Sequence, residues 1–234
     1  PNRFIDSPLI ETRILHWLNY RFGITGYLHY GFNSWVGNDP YKDMDEPQYG
    51  VGANAIVYPL KDGIVNSIRW EQERNGLSDY EYLWLLEQET ANLKTEIAPH
   101  GSWITPEQRG IELASRVIST TTQFSRDPNI LYKTKKEILN EILDLQKSPR
   151  LYVQTSPQAN STLIYGQILI EVTGWTEPGS KVLVNEKETP VSAEGLFRTV
   201  IALTPTITKI QISAHKASLS KTIERAFNVV YPNE

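Results

Sequence analysis

Between Ile24 and Trp35 the chain reads ITGYLHYGFNSW, a segment dense in side chains that could hold a polyol. If the alternation of an extended segment persists to its end, Asn33 and Trp35 share one face with His29 below them. An aromatic ring can stack on the apolar face of a sugar while an amide binds its hydroxyls, which makes Asn33 and Trp35 candidate substrate-binding residues. His29 and Tyr30 are further candidates that also suit a structural, hydrogen-bonded role. Downstream, Arg69, Glu71, Glu73 and Arg74 alternate in charge near a helix start. They read as a bracing network, with Arg69 and Glu71 keeping a claim to the site. The adjacent carboxylates Asp45-Glu46 could in principle share acid and base roles, but such a pair needs a rigid strand end and an apolar wall. Theirs is the polar run NDPYKDMDEPQYG, so they read as loop surface.

Other chemistries find no footing. The four histidines are scattered without metal-ligand spacing, so no metal is expected. No GxGxxG, Walker or GxSxG signature occurs, which removes the usual nucleotide and serine-nucleophile readings; no cofactor is expected. With no cysteine there is no disulfide and no thiolate nucleophile. A net charge of -4 without a Lys/Arg run argues against nucleic acid as a partner. No apolar run approaches the roughly 18 residues of a membrane span.

The elements that must position these residues follow from periodicity. Ser7-Pro8 reads as an N-cap with proline at the first helical position, opening a helix to about Phe22 that Gly23 stops. Ile24 to Trp35 reads as a buried strand running into a loop, Val36 to Gly52 as a long polar loop, and Ala53 to Pro59 as a second short strand. Ser78 with Glu81 three residues on forms a capping box, predicting a fresh helix after Gly76. Two more helices start near Thr105-Pro106 and Asp127-Pro128, the second with Leu131, Ile138, Ile142 and Leu145 as its buried stripe. After Ser148-Pro149 the texture changes to period-two strands at 167–173, 181–185, 196–202 and 208–214, which predicts an antiparallel β-sandwich. The expected domains are therefore 1–148, α/β, and 149–234, all-β. Trp175, in a turn-rich part of the second domain, could serve as a sugar platform but reads more simply as turn packing.

Several of these pieces occur together in one known family. Ile5-Asp6-Ser7-Pro8, Arg13, His16-Trp17-Leu18, Gly26 through Asn33, Val57-Tyr58-Pro59, Ser67-Ile68-Arg69 and Arg74 through Leu83 together resemble the C-terminal part of the glycoside hydrolase family 123 catalytic domain, over about residues 1–87. The chain has Tyr30 where the family usually has Trp, and Asn75 where it has Asp. Similarly, Val172 to Asn185 followed by Glu194-Gly195-Leu196-Phe197 resembles the bacterial immunoglobulin-like modules appended to secreted glycosidases.

The first resemblance implies the C-terminal βα units of a (β/α)8-type barrel and hydrolysis of β-linked N-acetylgalactosaminides. In such enzymes the substrate's acetamido oxygen attacks the anomeric carbon, an Asp orients it, and the neighbouring Glu is acid and then base, a substrate-assisted exception to the two-carboxylate scheme. On that mapping the Asp-Glu pair falls upstream of Pro1, and this chain alone is expected to be inactive. The resemblance also implies a bacterial protein, secreted or at the cell surface, with a glycan as substrate. The chain opens at Pro1 directly into patterned sequence, which suggests a piece of a longer polypeptide. Two barrel strands cannot close a barrel, so the remaining strands are expected from the same polypeptide or another chain. The competing reading is a non-catalytic carbohydrate-binding or cell-surface interaction module.

Overall fold

The structure is a computed structural model and describes residues 2–35, 39–44, 50–164, 166, 168–204 and 207–230. Asp45 and Glu46 lie outside the described residues. The chain divides into two compact units, residues 1–85 with 113–138 and residues 86–112 with 139–234.

In the first unit, α1 spans Leu9–Arg21. Pro8, not Ser7, is its N-cap, and no side chain caps it. Gly23 lies just beyond the C-terminal end at φ +63°, the left-handed geometry that closes a helix most cheaply with glycine. Two short strands, β1 (Val57–Leu60) and β2 (Gly63–Asn66), pair antiparallel in the register Val57 to Asn66 and Leu60 to Gly63. Residues 63–66 thus form the second strand of a hairpin. α2 (Ile68–Glu96) follows without interruption and continues into the second unit.

Two sequence expectations change here. The predicted buried strand from Ile24 to Trp35 is not formed: its only ladder-type pairing among the described residues is an isolated bridge between Asn33 and Ala55. Leu28 is 97% exposed and Tyr30 70%. A strand needs a neighbour to take its N–H and C=O groups, and the described residues supply one only at Phe32 to Ser34, where Ile56 N donates to Phe32 O and Ser34 N to Asn54 O. No closed barrel forms among the described residues; the two-stranded sheet of this unit is antiparallel, whereas barrel βα units need parallel neighbours.

The second change is at Gly76. No helix starts after it, because α2 runs straight through and is capped nine residues before Gly76, where Ser67 Oγ accepts from Trp70 N at 3.1 Å and donates to Ile56 O. Gly76 serves close approach: a Cβ there would lie 2.4 Å from the carbonyl oxygen of Arg13 and 2.8 Å from the His16 ring. α1 and α2 therefore meet almost backbone to backbone. Near that crossing the fully buried Asp79 accepts from Arg13 Nε at 2.7 Å, Arg13 Nη2 at 3.0 Å, Trp17 Nε1 at 3.0 Å and Lys135 Nζ at 2.7 Å.

α3 (Gln108–Val117) and α4 (Pro128–Gln146) each contribute to both units. α4 starts where expected, with Asp127 Oδ1 accepting from Asn129 N at 2.9 Å. Leu131, Ile138, Ile142 and Leu145 are buried as its spacing predicts.

The second unit holds the β-structure. β3 (Leu151–Ser156), β5 (Ile168–Thr176) and β8 (Leu196–Leu203) form an antiparallel sheet in the order β3-β5-β8. β6 (Lys181–Val184), β7 (Lys187–Thr189), β9 (Lys209–Lys216) and β10 (Leu219–Ala226) form a second, in the order β10-β9-β6-β7. A small parallel pair joins β4 (Thr162–Ile164) to β11 (Asn228–Val230). Ile170, Val172, Val182, Val184, Ile210 and Ile212 belong to one core shared by the two larger sheets. Each such side chain contributes about 1.5–3 kcal/mol when fully buried. In the same unit Glu141 accepts from Arg109 Nε at 2.8 Å and Nη2 at 2.6 Å, and from Arg225 Nη1 at 2.8 Å and Nη2 at 3.1 Å, all buried.

Candidate functional site

The first two turns of α2 organise the loop that carries the predicted site residues. Arg69 is buried, and its guanidinium donates to three carbonyl oxygens, those of Arg3 at 2.6 Å, Gly52 at 2.9 Å and Ala55 at 2.7 Å. One turn on, the buried Glu73 accepts from Arg3 Nη1 at 3.2 Å and from the Tyr27 hydroxyl. Arg3 Nη2 reaches on to the carbonyl of Gly31. Two side chains of one helix face thus hold residue 3, the 27–31 loop and the 52–55 turn. Gly31 makes this possible with φ +80° and a position where a Cβ would lie 2.3 Å from Asn54 O.

The held loop presents the candidates as follows. Asn33 is exposed, at the bridge to Ala55. Trp35 is half-buried, its indole N–H donating to Val57 O at 2.9 Å, which fixes the ring against β1. His29 is half-buried, with Nδ1 hydrogen-bonded to the carbonyl of Tyr30 at 2.9 Å, and burial pulls its pKa below the usual histidine value despite that carbonyl. Tyr30 faces solvent. The shared strand face predicted for His29, Asn33 and Trp35 does not arise, because no strand is there; what they share is one loop braced from α2 and β1.

Sequence reasoning missed the aromatic surroundings of that loop. The Tyr41 hydroxyl donates to Pro59 O at 2.8 Å and its ring lies 5.4 Å from that of Tyr58, tilted by 32°. Phe32 meets Trp70 edge to face at 5.3 Å. The density of Tyr and Trp at 27–35, 41, 58 and 70 was the available signal, but residues so far apart meet only once the hairpin forms. Glu73 was grouped with Glu71 and Arg74 by charge alternation. Only Glu73 joins the buried network; Glu71 and Arg74 make an i,i+3 surface pair at 2.7 Å. Behind the loop, the His16 ring packs edge to face on Tyr27 at 5.4 Å. Burial lowers its pKa, against the pull of Asp79. Chemically, the loop presents aromatic rings and an exposed amide on a support of buried hydrogen bonds, groups of the kind that stack on and hydrogen-bond polyols.

Residues 1–86 match the family model described as glycoside hydrolase 123, catalytic domain. The matched segment contains α1, the 24–35 loop, the hairpin and the first part of α2, while β3 to β11 lie beyond it. Among curated proteins none matches the chain. Among solved structures, a protein assigned provisionally as a beta-galactosidase from Bacteroides fragilis aligns with 42% of this chain and 15% of its own length at 16% identity and a TM-score of 0.26. An endo-beta-1,4-mannanase from Thermotoga petrophila aligns with 46% and 25% at 10% identity, with the same TM-score. The chain spans at most a quarter of either structure, and overlaps this loose carry no structural argument.

Among the described residues no helix is long and apolar enough to cross a membrane, and no group of three or more His, Asp or Glu could hold a metal ion. Trp175 is no platform: it is 3% exposed, donates its indole N–H to Glu194 O at 2.9 Å and lies under the guanidinium of Arg150 at 5.0 Å.

Proposed function

We propose that the chain is the C-terminal portion of a glycoside hydrolase acting on β-linked N-acetylgalactosaminides by a substrate-assisted, retaining mechanism. The match of residues 1–86 to the glycoside hydrolase 123 catalytic domain carries this reading. In it, Trp35 and Tyr30 offer aromatic surface to a sugar ring, Asn33 and His29 offer hydrogen bonds to its hydroxyls, and Arg69 positions the loop that bears them. The Asp-Glu pair that orients the acetamide and moves the proton comes from sequence upstream of this chain. The protein is bacterial and secreted or at the cell surface, and the exposed side chains Leu28, Tyr30 and Ile68 suit cover by the remaining barrel portion. Residues 149–234 form the appended immunoglobulin-like module. The second reading, a non-catalytic carbohydrate-binding or cell-surface interaction module, loses Trp175 as a glycan contact because that residue is buried.

The test is hydrolysis of a chromogenic N-acetyl-β-galactosaminide. The full-length protein should turn it over and this chain alone should not. Trp35→Ala in the full-length protein should raise KM about tenfold or more, since it removes a stacking surface. No turnover by the full-length protein, or faster turnover of a chromogenic β-galactoside, would sink the reading.

A further inference from the structure

A second site of a different kind lies wholly within the second unit, outside the matched segment. A cavity of about 900 Å³ opens between His100, Ser102 and Trp103 on one side and Glu171, Thr173 and Arg198 on the other. That volume is within the roughly 300–1,000 Å³ range of small-molecule sites.

Both walls are fixed by bonds that do not involve a ligand. On the helical side, His100 N donates to Ile97 O at 2.9 Å and Ile104 N to Gly101 O at 3.0 Å. Gly101 sits so close to α2 that a Cβ would meet Lys94 O at 2.5 Å. The Trp103 ring lies 5.9 Å from that of Tyr152, and Gln154 Nε2 donates to Thr105 O at 3.1 Å, fastening the turn to β3. On the sheet side, Phe197 packs across Gly174, and the 192–196 turn is closed by Ser192 N to Leu196 O at 2.8 Å and Gly195 N to Ser192 O at 3.0 Å. The backbone of both walls is preset, while the Arg198 side chain is 71% exposed and held by its pair with Glu171.

The polar groups are arranged for hydroxyls. Arg198 Nε pairs with Glu171 Oε1 at 2.6 Å, and Thr173 donates to the same oxygen at 3.2 Å. Among the described residues Glu171 Oε2 and the two Arg198 Nη nitrogens make no other hydrogen bond. A planar acceptor and a planar donor therefore sit side by side, and vicinal hydroxyls, which both donate and accept, suit that pair. Because Glu171 and Arg198 cancel in charge, a phosphate would find no excess positive field here. Trp103 supplies the aromatic surface that a pyranose face prefers.

We propose that this cavity binds a neutral oligosaccharide, with Trp103 against a ring and the Glu171–Arg198 pair on its hydroxyls. The site is independent of the reading of residues 1–86, and its test measures binding, not hydrolysis. The chain is titrated with lactose, cellobiose and N,N′-diacetylchitobiose by calorimetry, with inorganic phosphate and an unstructured peptide as further arms. At least one disaccharide should bind saturably. Trp103→Ala should weaken it about tenfold or more and Arg198→Gln about fivefold. Ser102→Trp, which fills the cavity from an exposed position, should abolish binding, while Trp84→Phe should leave it unchanged. The proposal is overturned if no disaccharide binds, if binding survives both Trp103→Ala and Ser102→Trp, or if only phosphate or a peptide adding to the edge of β8 binds.

Discussion

Ile24–Trp35 and Ile168–Thr176 are both rich in aromatic and β-branched residues, yet only the second is a strand. β5 lies between β3 and β8, pairing with β3 over Glu171–Thr176 and with β8 over Ile168–Trp175. Its inward side chains Ile170 and Val172 are fully buried. The 24–35 segment finds one bridge, and leaves Leu28 and Tyr30 in solvent. β-propensity states that a segment suits a pleated, half-buried surface; neighbours decide whether that surface exists. The second unit completes its own sheets, whereas the first holds its extended segment by side-chain bonds from α2.

If the second unit is held by its paired sheets and buried ion pairs, removing one central partner should cost more there than any change in the 24–35 loop. Glu141 is that partner. Glu141→Ala leaves the buried guanidinium groups of Arg109 and Arg225 without their shared carboxylate, at an expected cost of about 3–5 kcal/mol. Urea unfolding of the variant checks this. A loss under 1 kcal/mol would show that the arginines find other acceptors and that the contrast between the units lies elsewhere.

Acid probes the same carboxylate without mutation. Burial pushes Glu141 upward, but Arg109 and Arg225 together overcome it and hold the pKa at about 2. A folded-state value below the unfolded value of about 4.3 contributes stability that is fully present above pH ~4.3 and lost as pH falls through about 2. The magnitude is on the order of 3 kcal/mol. Thermal melts of the wild type and Glu141→Gln between pH 2 and pH 6 should converge toward the acid end.

Gly76→Ala tests whether the first unit's order comes from helix contact instead of sheet pairing. In an isolated helix alanine is favoured over glycine by about 1 kcal/mol. Here the added methyl would approach Arg13 O to 2.4 Å, so the sign should reverse to a loss of about 1–3 kcal/mol by chemical denaturation. A stabilised variant would mean that α1 and α2 do not meet so closely.

Gly76 also shows what a single sequence conveys. Composition made it a helix break, and Ser78 with Glu81 offered a ready cap, because local signals cannot register the backbone of a helix sixty residues away. The four strands placed from alternation correspond to β5, β6, β8 and β9 to within a few residues, since alternation there coincides with actual pairing, whereas β3, β7 and β10 are not among them. The α4 stripe was legible for the same reason. The candidates Asn33, Trp35, His29 and Tyr30 follow from residue type, but the sequence makes their carrier a buried strand where the structure has a loop, and Arg69 lies on α2. The loop's support could not be read, because Arg69 binds three carbonyls of residues 3, 52 and 55, and carbonyls have no signature in sequence.

The smallest expected effect is the sharpest for the comparison. Leu28 is almost fully exposed, and Leu28→Ser removes an apolar side chain from water and not from a core, so its unfolding free energy should stay within about 0.5 kcal/mol of wild type. Ile170→Ala in β5, by contrast, should cost about 2–5 kcal/mol, because a fully buried isoleucine leaves a cavity. The two native side chains are nearly equal in hydrophobicity, so most of the difference reflects their neighbours. If Leu28→Ser proved as damaging as Ile170→Ala in the isolated chain, the loop would have to be buried in solution. If it is neutral in the isolated chain but destabilising in the longer polypeptide of the proposed reading, Leu28 is covered there, as that reading requires, and its cost measures the cover.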